Sequence, residues 1–270
     1  MSVAPITLVC LSLATLFVAA LPVSLYRRLR APFALDWRDT IAGVAVFAFF
    51  ATVIERAIND YMLHENAAAA QVLANPAFFV LYGALIAGVC EEVGRYIAMR
   101  IIARRRGARK PNTPADGAAF GYGIGHAGAE AWFVGVLVQL QWIVFSVLAN
   151  RGDLDEHLSN LTMDSVLRVH LILASLSPLF AGVFALERTA AFVFQIGLSV
   201  LMWRGVRAGW RGILPLAILA HALIDVPAAM YQARLAPLVV VDAVYAVAAL
   251  VVAVVLFRTC RAERRVARAA

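Results

Sequence analysis

Charge is what this sequence most lacks. Only 15% of its 270 residues are Asp, Glu, Lys or Arg, against roughly 25% in a soluble globular chain, and 63% are hydrophobic. That balance excludes a domain dissolved in water. Alternation is missing as well. The apolar stretches are continuous runs of about 20 residues, long enough to cross a hydrocarbon core of about 30 Å as helices, and they lack the period-two pattern of barrel strands. Cysteine is scarce: Cys10, Cys90 and Cys260 lie far apart with no C-x-x-C spacing. This leaves neither a disulfide framework nor a thiolate metal site, and Cys90, beside Glu91-Glu92, reads as packing. The H-E-x-x-H pattern of zincins is absent, and there is no internal repeat, no low-complexity linker and no room for a second domain.

What is present is an all-α, polytopic helix bundle forming one integral membrane domain. Spans are expected near 5–26, 40–62, 76–102, 117–149, 179–203, 212–231 and 236–257. Val166 to Leu176 is too short to cross and reads as an interfacial or re-entrant helix, with an eighth span as the alternative. No basic residue precedes the first run, and Arg27-Arg28-Leu29-Arg30 follows it directly. A secretory signal has the reverse order, so this is a retained span. One set of loops carries Arg27, Arg28, Arg30 and Arg38, then Arg104 to Arg106 with Arg109 and Lys110, then Arg204, Arg207 and Arg211. The tail adds Arg258, Arg261, Arg264, Arg265 and Arg268. In the opposite set Arg151, Arg168 and Arg234 are outweighed by acids. By the positive-inside rule the N-terminus is outside and the C-terminus cytoplasmic. The net charge of +7 therefore reads as anchoring to a lipid bilayer, with no nucleic acid as partner.

Polar groups inside the spans demand a reason, because a charge at the bilayer centre costs at least about 2.5–3.5 kcal/mol. Four groups stand out: Glu91-Glu92-x-x-Arg95, Gly125-His126-x-Gly128-x-Glu130, Glu187-Arg188 with Gln195, and His221-x-x-x-Asp225. Counted from the span ends at about 1.5 Å per residue, Glu91, His126 and His221 each lie roughly 14 Å deep and Gln195 about 12 Å. Four residues on four helices thus share one layer. His126 and Glu130, like His221 and Asp225, are four apart and share a helix face. Each carboxylate is placed to orient its imidazole or complete a metal site. Arg95 is within reach of both Glu91 and Glu92, which point about 100° apart and should differ in role.

Other features take plainer readings. Glu92–Arg95 and Glu187–Arg188 are equally readable as structural ion pairs, and Glu55, Arg56, Asp60 and Asp242 as interface anchors. Gly123 to Gly128 matches G-x-G-x-x-G, but within a membrane span its glycines read as sites of close helix contact or of a local break. Asn160-Leu161-Thr162 is a sequon in an outer loop, and Ala67 to Ala70 a short structural alanine run.

At these residues the chain resembles the YhfC family of intramembrane metalloproteases, related more distantly to the CAAX-processing, bacteriocin-processing and PrsW-type proteases. The resemblance covers most of the chain, from about the second span to the sixth. It departs from the family at Ala127, where Gly is more usual, and at Gln195, where a His is expected. What the resemblance implies is an endopeptidase acting in or near the membrane, in a bacterial inner membrane, on a membrane-protein or lipidated-peptide substrate. Glu91 is the expected base, with His126 holding the water. His221, oriented by Asp225, and Gln195 would face the oxyanion, and Glu92 and Arg95 would support the geometry. Two mechanisms stay open: a zinc version, in which His126, His221 and one or more of Glu91, Glu130 and Asp225 bind the metal, and a glutamate version without metal. An ion- or proton-coupled transporter is the rival class, and a non-catalytic relative holding a membrane partner the third.

Overall fold

The computed structural model describes residues 2–106 and 116–269, with side chains described as far as Arg261. Arg109, Lys110 and the side chains of Arg264, Arg265 and Arg268 lie outside the described residues. Among the described residues, seven helices are long and apolar enough to cross a membrane. They are span one (Pro5–Phe33), span two (Trp37–Glu65), span three (Pro76–Arg106), span four (Gly117–Arg151), span five (Pro178–Arg207), span six (Ile213–Gln232) and span seven (Leu238–Arg261, its helix continuing to Ala269). In hydrocarbon the backbone must satisfy itself, which drives each apolar run into helix. Polar starts sharpen the ends: Asp36 accepts from the Arg38 amide ahead of span two, and Ser177 from the Phe180 amide ahead of span five. Most helices overrun the expected ends, because arginines at the termini extend them without breaking them.

The eighth-span alternative is not realised. Met163–Ser175 forms a helix of 13 residues, about 20 Å long and too short to cross. Its Val169 and Leu173 pack in a small cluster with Val3, Leu11, Leu154 and Leu158 at the end of the bundle opposite the arginines.

Two features fix the centre of the bundle. Spans two and four are interrupted by π-helical turns at Phe50–Glu55, Tyr61–Glu65 and Ala131–Val136, a local widening that recurs at functional sites. Spans two and four also touch backbone to backbone. A Cβ added to Gly125 would stand 1.9 Å from the Thr40 carbonyl oxygen, and one added to Gly43 would stand 2.1 Å from the Tyr122 carbonyl oxygen. The glycine motif of span four is therefore a contact surface, as small residues at membrane helix interfaces generally are. Gly88 plays the same part between spans three and six, where a Cβ would lie 3.0 Å from the Ile218 oxygen and 3.5 Å from the His221 Cβ.

The main hydrophobic cluster lies largely on the arginine-rich side of the polar layer, with Ala131, Val136 and Phe192 beyond it. It contains Met99 and Ile102 from span three, Phe120 and Ile124 from span four, Val200 and Trp203 from span five, and Ile213 and Ala217 from span six. Each of these lies between the polar residue of its helix and the arginine-rich end, so this half of the bundle is sealed. Gly125→Ala is expected to lower stability by at least about 1–3 kcal/mol through overpacking. Gly182→Ala, whose added Cβ would meet nothing within 4 Å, should change it by less than about 0.5 kcal/mol. Thermal unfolding in detergent checks both.

Candidate active site

The four motifs converge. Span three carries Glu91, Glu92 and Arg95 on successive faces, and all three are buried. Arg95 has no exposed surface and uses every nitrogen of its guanidinium. Its Nε lies 3.0 Å from both Glu92 carboxylate oxygens. Nη1 donates to the Gln195 carbonyl at 3.0 Å and to Ser199 Oγ at 2.5 Å. Nη2 donates to Gln195 Oε1 and lies 3.3 Å from His126 Nε2. The Tyr122 ring lies beside the charge, 5.9 Å from its centre, at the distance of a cation–π contact. The pair with Glu92 is thus fully desolvated, and Glu91 stands further off, at 3.9 Å.

Around this ion pair stand the two histidines. His126 Nε2 is 2.9 Å from Glu91 Oε2 and its Nδ1 is 3.4 Å from the Tyr122 hydroxyl. The Phe47 ring meets the imidazole edge-on at 5.3 Å. A ring proton on Nε2 would point at Glu91 and leave Nδ1 to accept from the Tyr122 hydroxyl. His221 is held from the other side. Its Nδ1 is 2.8 Å from Glu92 Oε1, while Nε2 faces Asp225 Oδ2 at 3.5 Å and Glu91 Oε2 at 4.0 Å. Glu92 therefore serves Arg95 and His221 at once, and Glu91 is left as the carboxylate that both imidazoles approach.

Several expectations need correction. Asp225 does not orient His221 through its inner nitrogen; Glu92 does, and Asp225 lies at the outer one. Glu130 does not orient His126. It accepts from Gln195 Nε2 at 2.8 Å and pairs with Arg188 at 3.5 Å. Gln195 is not a free oxyanion donor, because its Oε1 is spent on Arg95 and its Nε2 donates to both Glu91, at 2.9 Å, and Glu130. It is a bridge, and an amide suits the place because it offers an acceptor to a cation and two donors to carboxylates. Arg188 pairs with Glu130, and Glu187 lines the same cavity as that pair. Glu55 bonds to Asn59, which accepts from Tyr82, and it lines a cavity that also reaches Asp225. Sequence reasoning missed Tyr122 and Ser199. The available signal was their spacing, four residues before His126 and four after Gln195 on the same helix face.

The site opens into a cavity of about 370 Å³ whose walls include Glu91, Glu130, Arg188, Gln195, His221 and Asp225. Leu238, Val241 and Tyr245 of span seven close its far side. Its lining runs away from the arginine-rich end along spans five, six and seven, the direction left open by the hydrophobic seal. A zinc site would have to draw on His126, His221, Glu91, Glu130 and Asp225, and as packed these donors do not fit a divalent ion. His126 Nε2 is engaged by Glu91 and faces the Arg95 guanidinium, a fixed cation close to where a metal would stand. Glu130 is turned to Gln195 and Arg188. Among the described residues no three His, Cys, Asp or Glu side chains form a metal cage.

Glu92→Gln leaves the Arg95 charge buried without its counter-ion and is expected to cost about 3–5 kcal/mol. Glu92→Gln combined with Arg95→Met should cost less than the two single changes added together. Unfolding of the three variants in detergent measures that coupling.

Comparison with known proteins gives the family of the chain. Residues 17–246 match the family described as YhfC intramembrane metalloprotease. The chain is 32% identical over 228 residues, 83% of its own length and 84% of the relative's, to the uncharacterized membrane protein YhfC of Bacillus subtilis (strain 168). No solved structure matches. With seven apolar spans and a match over most of its length, the chain is an integral membrane protein that belongs to the YhfC intramembrane metalloprotease family.

Proposed function

We propose that this protein is an intramembrane endopeptidase in which Glu91 and His126 activate a water directly, without a bound metal. The observation that carries this reading is the Glu91 carboxylate on the cavity wall, with the His126 Nε2 2.9 Å from the same oxygen that Gln195 contacts. A water hydrogen-bonded to Glu91 from the cavity side has a base beside it, and the His126 imidazole fixes the orientation of that carboxylate. On attack the water oxygen bonds to the carbonyl carbon of the substrate and its proton passes to the Glu91 carboxylate. The oxyanion formed faces His221. In its doubly protonated form, with the inner nitrogen donating to Glu92, His221 donates through Nε2 to that oxygen. Collapse of the intermediate breaks the carbon–nitrogen bond, and the proton held by Glu91 goes to the leaving amine.

The cavity supports a route for the substrate. It runs along spans five, six and seven and is sealed toward the arginine-rich end, which on the positive-inside rule would face the cytoplasm. A membrane-protein or lipidated-peptide segment therefore enters from the bilayer or the outer side. A helical segment has to unwind before its peptide bond reaches Glu91, so cleavage is expected beside helix-breaking residues.

The test is a comparison of new protein N-termini in membranes of cells carrying wild type, Glu91→Gln, His126→Ala or no protein, at matched expression. Termini in or beside membrane spans are expected with wild type only, with each substitution reducing them by at least about 100-fold. The wild-type signal should persist in isolated membranes treated with excess chelator. Identical profiles in all four samples would remove the protease reading, and loss with chelator alone would remove the metal-free mechanism.

A further inference from the structure

The cavity that Glu55 lines, of about 340 Å³, lies on the other flank of span six, between that helix and spans two and three. Its polar wall is made by Glu55 and Asn59 of span two, Tyr82 of span three, and Asp225 and Gln232 of span six. The Tyr82 hydroxyl donates to Asn59 Oδ1 at 2.7 Å, and Asn59 Nδ2 donates to Glu55 Oε1 at 3.4 Å. Among the described residues, none that lines this cavity is basic. A carboxylate within a membrane span has to face a partner or water, and Asn59 takes only one of about four acceptor sites on Glu55. The remaining demand is met from the cavity, whose volume far exceeds the roughly 10–15 Å³ that one water needs. Glu55 closes the π-helical turn Phe50–Glu55, a widened stretch of helix of the kind that recurs at functional sites.

This cavity and the one beside Glu91 share Asp225, Ala228 and Gln232 as wall. Asp225 is the link to the chemistry. Its Oδ2 lies 3.5 Å from His221 Nε2, which stands 4.0 Å from Glu91 Oε2. The Asp225 side chain is 31% exposed, against 8% for Glu91, so a water moving along the second cavity reaches Asp225 before the base. The first cavity is the route of the substrate, and a peptide segment lying along spans five, six and seven displaces water from it. Hydrolysis consumes one water for each bond broken, and a supply on the other flank of span six is not blocked by that segment. We propose that the second cavity is a hydrated path that delivers the reacting water past Asp225 while substrate occupies the first, an inference that rests on the protease reading.

Thiol labelling of the full-length protein in isolated membranes tests the path without requiring any cleavage. Ile86 lines the second cavity, while its neighbour Leu85 belongs, with Leu81 and Val89, to the exposed apolar stripe of the same helix. The background carries Cys10→Ala, Cys90→Ala and Cys260→Ala, and each rate is read against full reaction of the same thiol in sodium dodecyl sulfate. A permanently charged methanethiosulfonate should label Ile86→Cys at least about tenfold faster than Leu85→Cys, since thiolates form and charged reagents travel in water and not in hydrocarbon. Asn59→Leu with Tyr82→Phe removes polar groups from the second cavity and none from the first. For a substrate found by terminus profiling, that double variant should show kcat lower by at least about tenfold with KM unchanged. Equal labelling at the two positions would overturn the path. Fast labelling beside an unchanged kcat in the double variant would overturn its part in supplying the reacting water. Fast labelling where wild type generates no new termini would remove the protease reading, and the delivery with it, while the hydrated path stands.

Discussion

A guanidinium with no exposed surface, in the middle of a bundle that spans hydrocarbon, is the constraint on which the rest of this structure depends. Arg95 cannot shed its proton, so its charge has to be answered on the spot. Glu92 supplies the counter-charge, the Gln195 carbonyl and Ser199 take one terminal nitrogen, and the Gln195 amide takes the other. Satisfying Arg95 therefore fixes spans three and five against each other. Because Glu92 also holds His221 and Gln195 also holds Glu91, the same solution sets the rotamers of the groups that face the cavity. Buried ion pairs contribute little net stability. What this one contributes is position: two imidazoles directed at one carboxylate.

The bundle is built asymmetrically around that layer. On the arginine-rich side, large apolar side chains from four spans fill the space, and glycine contacts bring spans two and four together at the backbone. On the other side the polar layer continues through Glu130, Arg188 and Asp225 into an open cavity. A cavity open on one side only is what the proposed hydrolysis would require, since water would have to reach Glu91 while the bundle stays closed beneath it. Span seven, exposed along most of its length, supplies the outer wall of the cavity through Leu238, Val241 and Tyr245.

Much of this was legible in the sequence because hydrocarbon leaves few solutions. Runs of apolar residues can only be helices, and that alone gives seven spans. Matched depths pick out Glu91, His126, Gln195 and His221, and these four do converge. What could not be read was which polar group satisfies which. Helix spacing puts Glu130 beside His126 and Asp225 beside His221, yet the inner nitrogen of His221 goes to Glu92 on span three, and Glu130 goes to Gln195 and Arg188 on span five. Those choices are made across helices, by how the glycine contacts rotate neighbouring spans, and no single helix records them. Tyr122 and Ser199 escaped for a related reason: a tyrosine or serine in a span is ordinary until a buried charge is found to need it.

If the Arg95 network positions the reacting groups beyond holding the helices together, replacing its shape while keeping its charge is the direct test. Lysine preserves the ion pair with Glu92 and cannot offer nitrogens to Gln195 and Ser199 in the same plane. The measurement is the cleavage rate of a substrate found by terminus profiling, in liposomes holding wild type or Arg95→Lys, set beside the thermal midpoint of each protein. The account predicts a folded variant with a midpoint within a few degrees of wild type and a cleavage rate lower by at least about 100-fold. Wild-type cleavage by folded Arg95→Lys would contradict it.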